Sequence, residues 1–364
     1  MSARWQRVVV KVGSSSVTDA AGRIEPAKMW AIARGAQVLS ARFNAKVVLV
    51  SSGAGAAGRE RLGLSLPLTL PHKQAAAAVG QALLMLDWAR AFAPLPVAQL
   101  LLTAADIQDR RRYVNARNAL ESSLSLGAVP VINENDSVAT SEIRFGDNDT
   151  LSAWTAYLMD ANALLILTDV NGLYDADPRT CPAAKRIPVV ANVTAVSHLA
   201  AGAGSGRGTG GMVTKLAAAK IAAEAGIETV ILSGGGAGLE ALARGEDVGT
   251  RFLAQTRAPA RKAWLAQQPT KGSITIDEGA AGALRAGRSL LPSGILGVAG
   301  DFDFGDAVAV TLGETLVGRG LSNYAAVDVA RIRGIKTAEI AARLGYKDFD
   351  EVIHRDNLVL MGPG

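Results

Sequence analysis

The sequence predicts an α/β protein with a mostly parallel sheet between helices, followed by a small C-terminal β-rich barrel domain. Three observations carry this. Short apolar runs alternate with segments of helical spacing, the order that βαβ units require. Those runs end repeatedly in glycine, hydroxyl and carboxamide residues, as strands do where an open α/β sheet binds ligands. At 364 residues the chain also exceeds the size at which one core usually divides, and its character changes near residue 258. The expected boundaries are 1–257 for the larger domain, 258–272 for a linker and 273–364 for the smaller domain.

The first strand, Val8-Val9-Val10, runs into Lys11-Val12-Gly13-Ser14-Ser15-Ser16. Gly13 lets backbone N–H groups approach an anion, and Lys11 supplies a compact positive charge for a phosphate. A Walker loop needs a longer glycine-spaced stretch before its lysine, so this is either another phosphate device or an ordinary strand edge. Residues 25–43 have helical spacing through Met29, Ile32, Ala33, Ala36 and Leu39. The second strand, 46–50, ends in Ser51-Ser52-Gly53-Ala54-Gly55, again small residues that let backbone come close to a ligand. An alanine- and leucine-rich helix over 73–92, a strand over 95–102 with Pro96 near its start, and a helix over 113–126 lead to the apolar run Val129-Pro130-Val131-Ile132.

Residues 133–150 break this pattern. They hold the carboxylates Glu134, Asp136, Glu142, Asp147 and Asp149 against a single arginine, Arg144. Like charges so close raise one another's pKa unless a cation, a metal or hydrogen-bond donors sit among them. The segment reads either as a seat for a ligand with an ammonium group, with Mg²⁺ nearby, or as a solvated acidic loop. A helix over 151–159 follows, then a buried strand, 163–167, ending in Thr168-Asp169, which can meet a nucleotide's base or ribose or cap the next turn. Residues 202–215 carry six glycines ahead of the alanine-rich helix 216–225. Such backbone before a helix N-terminus, with Thr214 and Lys215 in the first turns, matches the electrostatic demand of a phosphate. Beyond strand 229–232, polar proline-bearing stretches around Trp264 suit a linker, and short strands at 273–277, 295–298, 307–311 and 315–319 suit a small barrel.

Composition narrows the class. The single cysteine, Cys181, excludes an internal disulfide framework and a cysteine-rich metal site. His72, His198 and His354 are scattered without ligand spacing, and no metal ligand is assigned. No apolar run approaches the length of a membrane span and none opens the chain as a signal peptide, so the expected compartment is the cytoplasm, with no membrane partner. A net charge of +5 admits anionic substrates or nucleic acid and selects neither.

Taken in order, Lys11-Val12-Gly13-Ser14-Ser15, Ser51-Ser52-Gly53-Ala54, Val131-Ile132-Asn133-Glu134-Asn135-Asp136, Gly146-Asp147-Asn148-Asp149, Leu167-Thr168-Asp169 with Gly172-Leu173-Tyr174, and Gly208-Thr209-Gly210-Gly211-Met212 through Lys215 form a specific set. Over essentially the whole chain the sequence resembles the bacterial glutamate 5-kinase family. The tail, with Asp277-Glu278-Gly279-Ala280, Ser289-Leu290-Leu291-Pro292 and Gly305-Asp306, is similar to the PUA domain that many members carry.

The resemblance implies an amino acid kinase fold and transfer of the ATP γ-phosphoryl group to the side-chain carboxylate of L-glutamate. The product would be L-glutamyl 5-phosphate, in the first step of proline biosynthesis. Also implied are Mg²⁺ dependence, feedback inhibition by proline, a homotetramer or homodimer, and contact with glutamyl phosphate reductase, which would receive the acyl phosphate. Matched motif by motif, Lys11 and Lys215 would lie on the transferring phosphoryl and Asp149 would orient them. Ser52, Asp136 and Asn148 would bind glutamate. Lys11, Thr168, Asp169, Thr209, Gly210, Gly211, Met212, Val213, Thr214 and Lys215 would bind the nucleotide. Ser14 and Ser51 stand where threonine is commoner in the family, and both keep the hydroxyl.

The chemistry agrees with this assignment. A carboxylate nucleophile is already ionised at neutral pH and needs no general base, so catalysis must come from alignment and from cations over the phosphoryl oxygens. Asp136 would receive the substrate ammonium, backbone N–H groups around Gly53 would hold its α-carboxylate, and residues 137–146 would change shape when proline takes the same place. Acetylglutamate kinase, aspartokinase and uridylate kinase are the competing enzymes, and residues 133–149 together with the tail argue against all three. RNA binding by the tail would be a secondary role, because Asp301, Asp303, Asp306 and Glu314 offset Arg285, Arg288 and Arg319 and aromatics for base stacking are sparse.

Overall fold

The computed structural model describes residues 5–19, 21–138, 148–200, 211–255 and 269–361. The chain folds as two compact units, Met1–Arg257 and Ala258–Gly364.

The described residues of the first unit hold eight strands: β1 (Arg7–Val12), β2 (Lys46–Ser51), β3 (Val97–Leu102), β4 (Val129–Glu134), β5 (Ala163–Leu167), β6 (Val189–Val190), β7 (Glu228–Leu232) and β8 (Thr250–Phe252). They lie in the order β3-β4-β2-β1-β5-β7-β8-β6, and only the β7–β8 pair is antiparallel. The central strands are apolar runs buried on both faces, as a parallel sheet covered by helices demands. Val12 pairs with both Ser51 and Leu167, and Leu167 pairs with Leu232. The strands therefore end level, and Gly13, Ser52, Thr168 and Ser233 leave the sheet along one carboxyl edge.

The helices are α1 (Ser14–Val17), α2 (Pro26–Phe43), α3 (Ala54–Arg61), α4 (Leu70–Phe92), α5 (Ala104–Gln108), α6 (Arg110–Ser125), α7 (Asn148–Leu158), α8 (Val193–Val196), α9 (Met212–Glu224) and α10 (Gly235–Arg244). Met29, Ile32, Ala33, Ala36 and Leu39 form the buried stripe of α2, as their spacing predicts. On α9 the buried residues include Ala218, Ala219, Ala222 and Ala223, short side chains that bring the helix axis close to the sheet. The crossing of α3 and α4 is closer still. A Cβ on Gly80 would stand 1.7 Å from the Ala54 carbonyl oxygen, so only hydrogen fits there.

Several boundaries differ from the sequence expectations, for identifiable reasons. The helix expected from residue 73 starts at Leu70 because the Thr69 hydroxyl caps it, and the one expected from 113 starts at Arg110 because Asp109 caps it. Apolar periodicity begins later than either cap. The strand expected over 95–102 begins at Val97, after Pro96. β4 extends past Ile132 to include Asn133 and Glu134, both buried, and α7 begins at Asn148 rather than 151.

The second unit contains β9 (Gly272–Ile276), β10 (Ile295–Gly300), β11 (Ala307–Leu312), β12 (Thr315–Leu321) and β13 (Leu358–Leu360) in the order β10-β9-β11-β12-β13. Only β9 and β11 pair in parallel. Ile274, Ile276, Val308, Val310, Tyr324 and Val329 lie in its core, beside α11 (Glu278–Arg285), α12 (Ala326–Ile332) and α13 (Ile340–Leu344). A bridge between Leu290 and Ile353 joins the segments that precede the edge strands β10 and β13. Residues 258–268 of the expected linker lie outside the described residues. No described helix is long and apolar enough to cross a membrane.

Candidate active site

The sheet order sets the site out before any side chain is considered. β1 lies between β2 and β5, so Lys11, one residue from its end, stands on the divide between two halves of the carboxyl edge. α7 delivers Asn148 and Asp149 to this edge, and α9 delivers Thr214 and Lys215.

Asp149 is the hub. Its side chain is fully buried, with Oδ1 2.5 Å from Lys11 Nζ and Oδ2 3.2 Å from Lys215 Nζ. The Thr214 hydroxyl donates to Oδ2 at 2.7 Å. Burial alone would push the carboxyl's pKa up, but the two ammonium charges and the hydrogen bonds from Lys11 and Thr214 outweigh it and hold the group below its ordinary 3.8. Two cations around one carboxylate leave this trio net positive, the sign that a phosphoryl group requires.

On the β2 and β4 side the groups bonded to Asn148 are neutral. Asn148 Nδ2 donates to Ser52 Oγ at 2.8 Å and to Asn133 Oδ1 at 2.9 Å. Asn133 Oδ1 also accepts from the Glu134 N–H at 2.9 Å, and Asn133 Nδ2 donates to Gln81 Oε1 at 2.8 Å. Below this relay Trp88 Nε1 donates to Ser51 Oγ at 2.9 Å. Ser52 is followed by Gly53, whose φ of +115° few other residues adopt and which turns the chain into α3. Asp136 is half-buried and lines a neighbouring cavity of about 310 Å³ together with Glu134, Ser137 and Gln81.

On the β5 side, Thr168 follows the strand and donates its hydroxyl to Asp169 Oδ1 at 3.1 Å. Asp169 is exposed and paired with Arg179 at 2.6 Å. Gly211 caps α9, Met212 and Thr214 are half-buried, and Val213 is exposed. Thr209 and Gly210 lie outside the described residues, as do Glu142, Arg144 and Asp147 of the acidic segment. Among the described residues no group of three or more His, Cys, Asp or Glu side chains is placed to hold a metal ion.

The amino acid kinase family model matches residues 6–233, and the PUA domain model matches residues 272–344. The chain is 50% identical over 369 residues to the glutamate 5-kinase of Moorella thermoacetica, covering 98% of this chain and 97% of that protein. It is 50% identical over 365 residues to the glutamate 5-kinase of Thermus thermophilus, with coverage of 98% and 97%. Identity to the Myxococcus xanthus glutamate 5-kinase is 48% over 365 residues, covering 98% and 96%. The chain belongs to the glutamate 5-kinase family.

With the family in place, the acidic segment takes a narrower meaning than its composition suggested. Asp149 does not face outward to a ligand's ammonium group: the protein's own Lys11 and Lys215 neutralise it. Asn133 and Glu134 belong to the strand. Ser52 and Asn148 are joined directly, whereas Asp136 stands at the adjoining cavity. The structure adds Gln81 and Asn133 as links to Asn148, and Arg179 as the partner of Asp169. Gln81 carried a signal of its own, since it lies on the buried stripe of α4 with Ala76, Ala77, Gly80, Leu84 and Trp88. A carboxamide there has to find partners inside the protein.

Proposed function

We propose that this protein transfers the γ-phosphoryl group of ATP to the side-chain carboxylate of L-glutamate, giving L-glutamyl 5-phosphate for proline biosynthesis. The observation that carries the reading is the convergence of Lys11 and Lys215 on one buried carboxylate, beside a neutral hydroxyl and amide seat. Nucleotide lies on the β5 and α9 side, against Thr168, Asp169 and the N-terminus of α9. Glutamate lies on the β2 and β4 side, against Ser52, Asn148 and Asp136. A carboxylate oxygen attacks γ-phosphorus in line, the bond to the β–γ bridging oxygen breaks, and ADP leaves with that electron pair. No proton moves in this step. Lys11 and Lys215 stabilise the phosphoryl oxygens, and Asp149 holds both ammonium groups in place before substrate arrives.

Asp149 is fully engaged by lysines and a hydroxyl, so Mg²⁺ enters as part of the substrate, on the triphosphate oxygens. Proline inhibits by taking the amino acid's place, the chain assembles as a homotetramer or homodimer, and the labile acyl phosphate is handed to glutamyl phosphate reductase.

The test is hydroxamate formation with ATP and Mg²⁺ across glutamate, aspartate and N-acetylglutamate, with and without proline. Product from glutamate alone, suppressed by proline, is expected. Turnover of aspartate or N-acetylglutamate in preference to glutamate would overturn the assignment.

A further inference from the structure

The amide relay ends in a donor that phosphoryl transfer does not use. Gln81 is 8% exposed and lines the 310 Å³ cavity at the end of β4. Its orientation is dictated from the backbone. The Glu134 N–H needs an acceptor, so the Asn133 oxygen faces it; Asn133 Nδ2 is then a donor, and Gln81 must present its oxygen to that nitrogen. Gln81 Nε2 is thereby turned away from the relay, buried and without a hydrogen-bond partner among the described residues. At the relay's other end Asn148 Oδ1 is likewise buried and unpartnered among the described residues. A buried donor of this kind is costly to leave unmade, and a ligand's acceptor is one way to complete it.

The cavity has the character of a small zwitterion's seat. Ala54, Ala77 and Ala82 contribute short side chains that leave room, while Glu134 and Asp136 bring carboxylates to the lining that also holds Gln81. A donor for one charged end and acids for the other match an α-amino acid.

We propose that Gln81 is a further specificity-determining residue, whose Nε2 donates to a carboxylate oxygen of an α-amino acid in this cavity and whose Oε1, through Asn133, sets Asn148 at the phosphoryl acceptor. This deepens the glutamate kinase reading and rests on it. The carboxylate belongs either to the substrate or to an inhibitory amino acid such as proline, and the test separates the two.

Gln81→Glu keeps an oxygen facing Asn133 and replaces only the Nε2 donor with an anion. The measurements are KM for glutamate, KM for ATP, kcat and the proline concentration for half-inhibition. Loss of a charge-assisted hydrogen bond to a carboxylate should raise KM for glutamate about tenfold or more, with KM for ATP unchanged within about twofold. That result assigns the carboxylate to the substrate. Weaker proline inhibition at an unchanged KM for glutamate assigns it to the inhibitor, and supports the same donation. A folded Gln81→Glu protein with both quantities unchanged overturns the proposal. Should the acid prevent folding, Gln81→Met is expected to raise KM in the same direction and also lower kcat, because Asn133 loses its acceptor; unaltered constants there are equally contrary. Failure of the parent reading looks different, since the wild-type protein would then form no hydroxamate from glutamate.

Discussion

On the α9 side of β1 four groups close on one another, Lys11, Lys215 and Thr214 all meeting Asp149; on the β4 side Gln81, Asn133, Asn148 and Ser52 form a chain with unfilled ends. The contrast follows from charge. An ionised carboxylate cannot be buried without compensation supplied by the protein, whereas a neutral amide can stay unpaired at smaller cost until a ligand completes it. The phosphoryl half is therefore set in advance and the acceptor half is finished by what binds. Substitutions on the first side should lower kcat, and those on the second should raise KM for the amino acid.

The largest effect is expected from Lys215→Ala, which removes one of two cations from the phosphoryl oxygens. Turnover should fall about 10³-fold with the circular dichroism spectrum retained, and near-normal turnover would remove Lys215 from the mechanism. Asp149→Asn should lower kcat about 10²-fold, and leave the protein about 3–5 kcal/mol less stable at neutral pH because two buried lysines lose their counter-charge. Its pH behaviour sharpens the point. The Asp149 carboxyl is held below 3.8 in the folded protein, so its contribution is complete above that value and is lost as pH falls through the lower folded one. Wild-type melting temperature should drop over that acid range, and the Asn variant, already lower at neutral pH, should lose less across it.

On the acceptor side, Asn148→Ala should raise KM for glutamate about 10- to 100-fold with a smaller change in kcat. A loss confined to kcat would erase the distinction between the halves. Gly80→Ala tests the packing beneath the relay. The added Cβ would meet the Ala54 carbonyl at 1.7 Å, so α3 and α4 must part, at a cost of about 1–3 kcal/mol seen in thermal unfolding. The smallest effect belongs to Arg179→Ala. Its exposed pair with Asp169 should contribute less than about 1 kcal/mol to stability, and KM for ATP should change by less than about threefold.

Much of the edge was legible in the chain because strand ends announce themselves: Lys11, Ser52, Asn133 and Thr168 each follow an apolar run and fall within two residues of one another along the carboxyl edge. Lys215 was legible from glycines before an alanine-rich helix. What composition could not convey was pairing. The carboxylates of residues 133–150 looked alike, yet Asp149 is locked to Lys11 and Lys215 from β1 and α9, while Asp136 lies at a cavity beside α4. Such pairings span most of the first unit and leave no local trace. Gln81 showed only as a polar side chain on the buried stripe of an alanine- and leucine-rich helix, and its meaning appears only when Asn133 is placed against it.

The most direct measurement is a crystal structure with a non-hydrolysable ATP analogue, Mg²⁺ and glutamate bound together. The expected result is Lys11 Nζ and Lys215 Nζ both within about 3 Å of terminal phosphoryl oxygens, with the glutamate side-chain carboxylate facing that phosphorus from the Ser52 and Asn148 side. A terminal phosphate bound away from both lysines, with Asp149 still clasped between them, would contradict it.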